Sequence, residues 1–151
     1  MRKSMLLAAA LVACAKADTS TTDTSAGMVA APAALTPADV AGNWNGTNLA
    51  GPGDSVIGRW TAVFIGDSTG LLTLQGAKDS IPYRMTFDAD SMIVVSAPYV
   101  SSAAPEGSKV TFRGAGRLSD GKLVGSTVMT LADRPDSVVA RSRWEATRAP
   151  R

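Results

Sequence analysis

The sequence predicts an all-β protein: an eight-stranded antiparallel up-and-down β-barrel over residues 38–151, behind an export signal at 1–13 and a tether at 14–37. Three observations carry that expectation. From Val40 onward apolar and polar residues alternate with period two, the spacing of a strand buried on one face. Eight such segments follow at short intervals with turn-forming residues between them, the pattern of a sandwich or barrel. The connections also sort by parity. The second, fourth and sixth are short, the third (77–80) is intermediate, and the first (48–54), fifth (98–108) and seventh (132–136) are longer or contain proline. Alternate connections of a meander lie at the same end. One end is therefore expected to be closed and the other fringed by loops, a cup with the first and fifth loops as lids.

The chain opens with Arg2 and Lys3, an apolar run over 5–13, and Cys14. That run is short of the roughly 20 apolar residues a spanning helix needs, so it reads as a removable export signal. Leu11-Val12-Ala13-Cys14 resembles the lipobox of bacterial lipoproteins. The resemblance implies a diacylglycerol on the Cys14 thiol, cleavage just before it, and a second acylation, such as palmitate, at the new amino terminus. Stable anchoring needs more than one acyl chain, each buried methylene adding about 0.8 kcal/mol. Cys14 is the only cysteine, so no internal disulfide can form and lipidation gives the lone thiol a purpose. The alternative is ordinary secretion, since Ala13-Cys14-Ala15 also fits a small-residue cleavage site. Ala15 stands where an inner-membrane retention signal would place Asp, so the resemblance points to the outer membrane, facing the periplasm, in an organism that has one.

Charge excludes some partners. The 15 basic and 13 acidic residues become 13 and 13 once Arg2 and Lys3 are removed with the signal. A neutral mature chain argues against nucleic acid, whose binders carry a clustered basic face, and against an electrostatic membrane patch.

Residues 15–37 are built from Ala, Thr, Ser, Asp and Pro, with Met28, Val29 and Leu35 as the larger apolar groups. Such a stretch buries too little to offset its ordering entropy. It reads as a spacer, the alternative being a processed pro-segment. Thr36-Pro37-Ala38-Asp39 predicts one helical turn, with Pro37 at an early position. In the first strand (40–47) Gly42, Trp44 and Gly46 share one face. The second (56–64) turns Val56, Gly58, Trp60, Ala62 and Phe64 inward, and the third (71–76) sets Leu72, Leu74 and Gly76 against Leu71, Thr73 and Gln75. The fourth (81–88) alternates most cleanly, with Ile81, Tyr83, Met85 and Phe87 inward. The fifth (92–99) is apolar on both faces, so its inward side is open. The sixth (110–118) carries Val110, Phe112, Gly114, Gly116 and Leu118 inward. The seventh (123–131) carries Leu123, Gly125, Thr127, Met129 and Leu131, and the eighth (138–147) Val138, Ala140, Ser142, Trp144 and Ala146. Turns at 66–70, 88–91 and 119–121 supply Gly, Asp and Ser, which accept left-handed backbone or bond their own backbone. Inward glycines at 58, 114, 116 and 125 are expected at the bends of a small barrel.

Gly42-Asn43-Trp44 on the first strand of an eight-stranded meander resembles the glycine-any-tryptophan motif of the lipocalins. The resemblance implies that Trp44 packs at the closed end beneath an arginine from the last strand. Arg148 has the matching position and inward parity.

Catalysis is not expected. The chain has no histidine, the commonest general base and metal ligand. Its paired carboxylates, Asp88, Asp90, Asp120, Asp133 and Asp136, fall in or beside turns, where Asp serves the local backbone. Gly114-Ala115-Gly116 lies inside a strand and is no phosphate loop, and Arg141 and Arg143 read as a solvated face. No catalytic residue, metal or cofactor is assigned. The inward aromatics Trp60, Tyr83, Phe112 and Trp144, with Met129, fall near mid-barrel. Eight strands leave room either for side chains alone or for one small ligand. They are either a filled core or the wall of an apolar pocket, with Tyr83, Thr127 and Ser142 as polar contacts. The expected function is a lipid-anchored envelope barrel holding a small apolar or amphipathic molecule. The alternatives are a protein-interaction module acting through its loops, such as an inhibitor of an envelope enzyme, and a non-enzymatic structural protein of the envelope.

Overall fold

The computed structural model describes residues 34–150; the expected export signal, Cys14 and the expected spacer through residue 33 lie outside them. A single helical turn, α1 (Pro37–Val40), precedes strands β1 (Gly42–Ala50), β2 (Ser55–Ile65), β3 (Thr69–Leu74), β4 (Ile81–Asp88), β5 (Ser91–Ser96), β6 (Tyr99–Val100), β7 (Lys109–Ser119), β8 (Lys122–Leu131) and β9 (Val138–Arg148). Every pairing is antiparallel. Apart from β5 and β6, each strand lies beside its neighbour in sequence; β1 pairs with β9, and β5 pairs with β7 to close the cylinder. The result is a closed eight-stranded up-and-down barrel of lipocalin-like architecture.

The strand β6 is not a ninth stave. It pairs only with the start of β7, Tyr99 opposite Val110, and continues the line of β5 after a break at Ala97-Pro98. Pro98 has no N–H to give to a ladder. The ladder is repaired by a side chain: the Phe112 N–H donates to Ser96 Oγ at 2.9 Å, and the Ala97 N–H turns to Pro82 O at 2.8 Å. That role explains why Ser96 is a buried polar residue at the end of a strand. It also resolves the side left open by the sequence: Met92, Val94 and Ser96 face inward.

Connections at one end are tight. Ser119 pairs with Lys122 around Asp120 and Gly121, both at positive φ (51° and 76°), the two-residue turn whose twist suits a hairpin. Ala89 in the β4–β5 turn also sits at φ 50°. The opposite end carries the longer loops, 51–54, 75–80, 101–108 and 132–137.

Contact with the barrel begins further upstream than the composition suggests. Leu35, expected in the tether, is buried in the core, and its N–H donates to Ala89 O at 2.8 Å. One leucine and one backbone bond are enough to seat this segment under the barrel, and neither leaves a periodic signal. The turn at α1 is capped by its own first residues, with the Thr36 hydroxyl and N–H donating to the Asp39 carboxylate at 2.6 and 2.9 Å. Those two bonds, the hydroxyl's first, hold the Asp39 carboxyl below its ordinary range, helped by Arg148.

Two registers slip by one residue. Asn48 pairs with Gly58 but Leu49 with Val56, leaving Ile57 as a bulge, and the β8–β9 ladder skips Val139. The first slip corrects the parity expected for β2: below the bulge Gly58, Trp60, Ala62 and Phe64 face inward, but above it Ile57, and not Val56, borders the cavity, while remaining largely exposed.

Candidate functional site

The closed end is built by the two extremes of the barrel. Trp44, fully buried, pairs across the ladder with Arg148, whose guanidinium carbon lies 4.7 Å from the indole centroid. The guanidinium also donates to Ala41 O at 2.6 Å and Asp39 O at 2.5 Å, and the Trp44 N–H donates to Val40 O at 2.8 Å. Arg148 thus binds the last strand to the turn ahead of the first. Gly42 beside it is favoured by its backbone, at φ 106°, and not by space, since a Cβ there would make only an ordinary 3.5 Å contact with Arg148 Nη1. Val40, Leu35 and Phe64 complete the floor, Phe64 bridging Trp44 and Tyr83 by edge-on contacts with centroids 6.4 and 5.8 Å away.

Above that floor the barrel is hollow. A cavity of about 410 Å³ runs to the open end. The structure brings all seven predicted pocket residues to its wall: Trp60, Tyr83, Phe112 and Trp144, with Thr127, Met129 and Ser142. Trp60 and Trp144 meet edge to face at 6.0 Å, as do Tyr99 and Phe112 at 6.2 Å. The interior is therefore neither packed solid nor shapeless. Tyr99 and Met92, which the ambiguous fifth strand concealed, also line it, and Ser101, Ser102 and Ala103 of the long loop stand at the mouth.

Glycines decide the bore. Gly46 lies directly opposite Trp60, Gly70 opposite Tyr83 and Gly125 opposite Trp144. A Cβ on any of the three would fall 2.2–2.4 Å from the ring it faces, and Gly116 meets Trp144 in the same way at 2.4 Å. Each large aromatic lies flat across a bare strand, keeping its bulk against the wall and out of the lumen. The glycines at 116 and 125, read from sequence as bends, are beds for a ring.

Electrostatically the cavity is quiet. Burial pushes the Tyr99 hydroxyl up to about 12 and the Tyr83 hydroxyl higher still, so both are neutral at physiological pH. Tyr83 has only a long bond of 3.4 Å to Val63 O. The one charged residue touching the cavity is Arg59, an exposed side chain paired with Thr47 on the outer face. A larger hollow of about 620 Å³ lies outside β9, β1, β2 and β3 against Asn45, Thr47, Thr61, Thr73 and Thr147. Its walls mix outward-facing polar side chains, Arg59 and Glu145 among them, with Trp60, Leu74 and Ala146.

The two loops expected as lids behave differently. The fifth reaches the mouth. The first does not: Arg143 on the outer face holds it by an ion pair with Asp54 and a 3.0 Å bond to Gly51 O. Arg143, read as merely solvated, draws that loop to the outside. Among the described residues no group of three or more His, Cys, Asp or Glu is placed to hold a metal, and no helix is long and apolar enough to cross a membrane.

Comparison with family models, with curated proteins and with solved structures gives no match for this chain.

Proposed function

We propose that the protein is a lipid-anchored barrel of the cell envelope, lipocalin-like in function as well as in architecture, that carries one small apolar or amphipathic molecule inside the barrel. The observation that carries this reading is the open cavity of about 410 Å³ walled by aromatic and aliphatic side chains with a few polar groups. That is the usual make-up of a small-molecule site and lies in its usual range of about 300–1,000 Å³. A filled interior would have favoured action through the loops. The Trp44–Arg148 closure at the other end adds support, because it seals the floor and leaves one way in.

The anchor rests on the lipobox-like Leu11-Val12-Ala13-Cys14 and on the absence of any other cysteine. Attachment through Cys14 would place the barrel on the outer membrane, facing the periplasm, in an organism with two membranes. Both halves are tested by mass spectrometry of native protein extracted with its membrane. The expected result is an acyl mass on Cys14 together with a co-purifying small molecule. Cys14→Ser should release a folded barrel from the membrane fraction; retention there would defeat the anchor, and a cavity that takes up no apolar probe would defeat the carrier.

A further inference from the structure

Taking the cavity-binding reading as its basis, the structure also points to the chemistry of what is bound. Of the three indole N–H groups in the chain, two are spoken for: Trp44 donates to Val40 O and Trp60 to Asn48 Oδ1 at 3.1 Å. Trp144, lying against Gly116 and Gly125, has no acceptor for its N–H among the described residues. Nor is that N–H sealed in protein, since no fully buried side-chain nitrogen or oxygen among those residues lacks a partner. It opens to the cavity. A Cβ on Gly114 would stand 3.8 Å from this nitrogen and 3.3 Å from Thr127 Oγ1. Thr127 in turn sits directly opposite Ser142 on the next strand, and neither hydroxyl has a hydrogen-bond partner among the described residues. One N–H and two hydroxyls therefore gather on the β7–β8–β9 wall around Gly114, the position from which no side chain projects.

This is a polar notch in an apolar chamber, and its chemistry is selective. Its donors suit an oxygen acceptor. A carboxylate or phosphate seated there would lose its hydration without a counter-charge, which costs several kcal/mol, because Arg59, the one charged residue at the cavity, belongs to β2 and not to the β7–β8–β9 wall. A pure hydrocarbon would strand the three polar groups in a site it had dried. The volume is near the lower end for small-molecule sites, suited to a single chain or small ring system rather than a two-chain lipid. We propose that the cavity selects an uncharged, mainly apolar molecule bearing one oxygen function, such as a ketone, ester or alcohol. Its oxygen accepts from Trp144 Nε1 in the Gly114 notch, with Thr127 and Ser142 beside it.

The test is competition of an apolar fluorophore by four linear compounds of one chain length: the alkane, the primary alcohol, the methyl ketone and the carboxylate. It is run alongside NMR of the indole N–H signals. The ketone and alcohol should bind about tenfold tighter than the alkane and the carboxylate, the yield of a well-made hydrogen bond of about 1.4 kcal/mol. One indole signal should move with the ketone, and it should be the signal missing in Trp144→Phe. Thr127→Val, which keeps the side chain's shape, and Trp144→Phe should each cut the ketone's advantage over the alkane several-fold, whatever either does to binding of the alkane itself. Equal binding of ketone and alkane, or tightest binding of the carboxylate, would overturn the notch and leave the cavity reading standing. If none of the four displaces the fluorophore, both fall.

Discussion

At the scale of single residues, the barrel depends on pairs whose members are distant in sequence. Trp44→Ala should destabilise the fold by about 3–5 kcal/mol, the range for a core aromatic, a large share of a typical domain stability of about 5–15 kcal/mol. Arg148→Ala removes a cation over the indole face, about 0.5–2 kcal/mol, and two bonds to the carbonyls of Ala41 and Asp39. In chemical denaturation the double variant should therefore be less destabilised than the two single effects added together, while part of the Arg148 effect persists through those carbonyls. The glycine beds make a different prediction. Gly46→Ala should cost about 1–3 kcal/mol, as overpacking does, because Trp60 must leave its place, whereas Gly53→Ala, with open space around it, should cost far less. The floor pair was legible from a short motif and the parity of the last strand. The beds were not, because a glycine's sequence context says that the backbone is bare but not what lies on it.

At the scale of elements, alternation made the strands legible wherever one face was solvated. It failed in β5, where Ile93 and Val95 are apolar on the outer face, and at Ile57, because one extra residue in a ladder leaves no compositional trace. Two repairs can be tested here. Ser96→Ala orphans the Phe112 N–H, a loss of about 1–3 kcal/mol for a buried donor without a partner. Hydrogen exchange of the Phe112 amide should accelerate before that of its neighbours in β7. Ala89 bears a side chain in the left-handed region, which costs roughly 1–2 kcal/mol outside glycine. Ala89→Gly should accordingly raise the melting temperature, offset in part by the greater freedom glycine gives the unfolded chain, with the Leu35 N–H bond to its carbonyl preserved.

At the scale of the whole molecule, both tyrosines of the chain are held in the barrel with raised pKa values, and this contributes to the alkaline limb of stability. Folding favours the protonated phenols. Their contribution is intact below the unfolded value near 10, declines as pH rises above it, and for Tyr99 is gone by the folded value of about 12. Absorbance titration of the native protein should show no tyrosinate at pH 10, and Tyr99→Phe should flatten the loss of stability between pH 10 and 12. Appearance of both tyrosinates near pH 10 in folded protein would mean the cavity is fully wetted.

The ladder between β1 and β9 has a consequence for how the chain could be cut and rejoined. Residues at both extremes of the barrel, Asn43 and Ala149, are linked by a backbone bond of 2.9 Å on the sealed side. The start and finish of the domain are therefore neighbours, far from the rim through which cargo would pass. A circular permutant that splices them with a short linker and opens the chain at Gly107 severs no strand. It should refold with its lumen intact, as a vessel whose seam has been moved from base to lip.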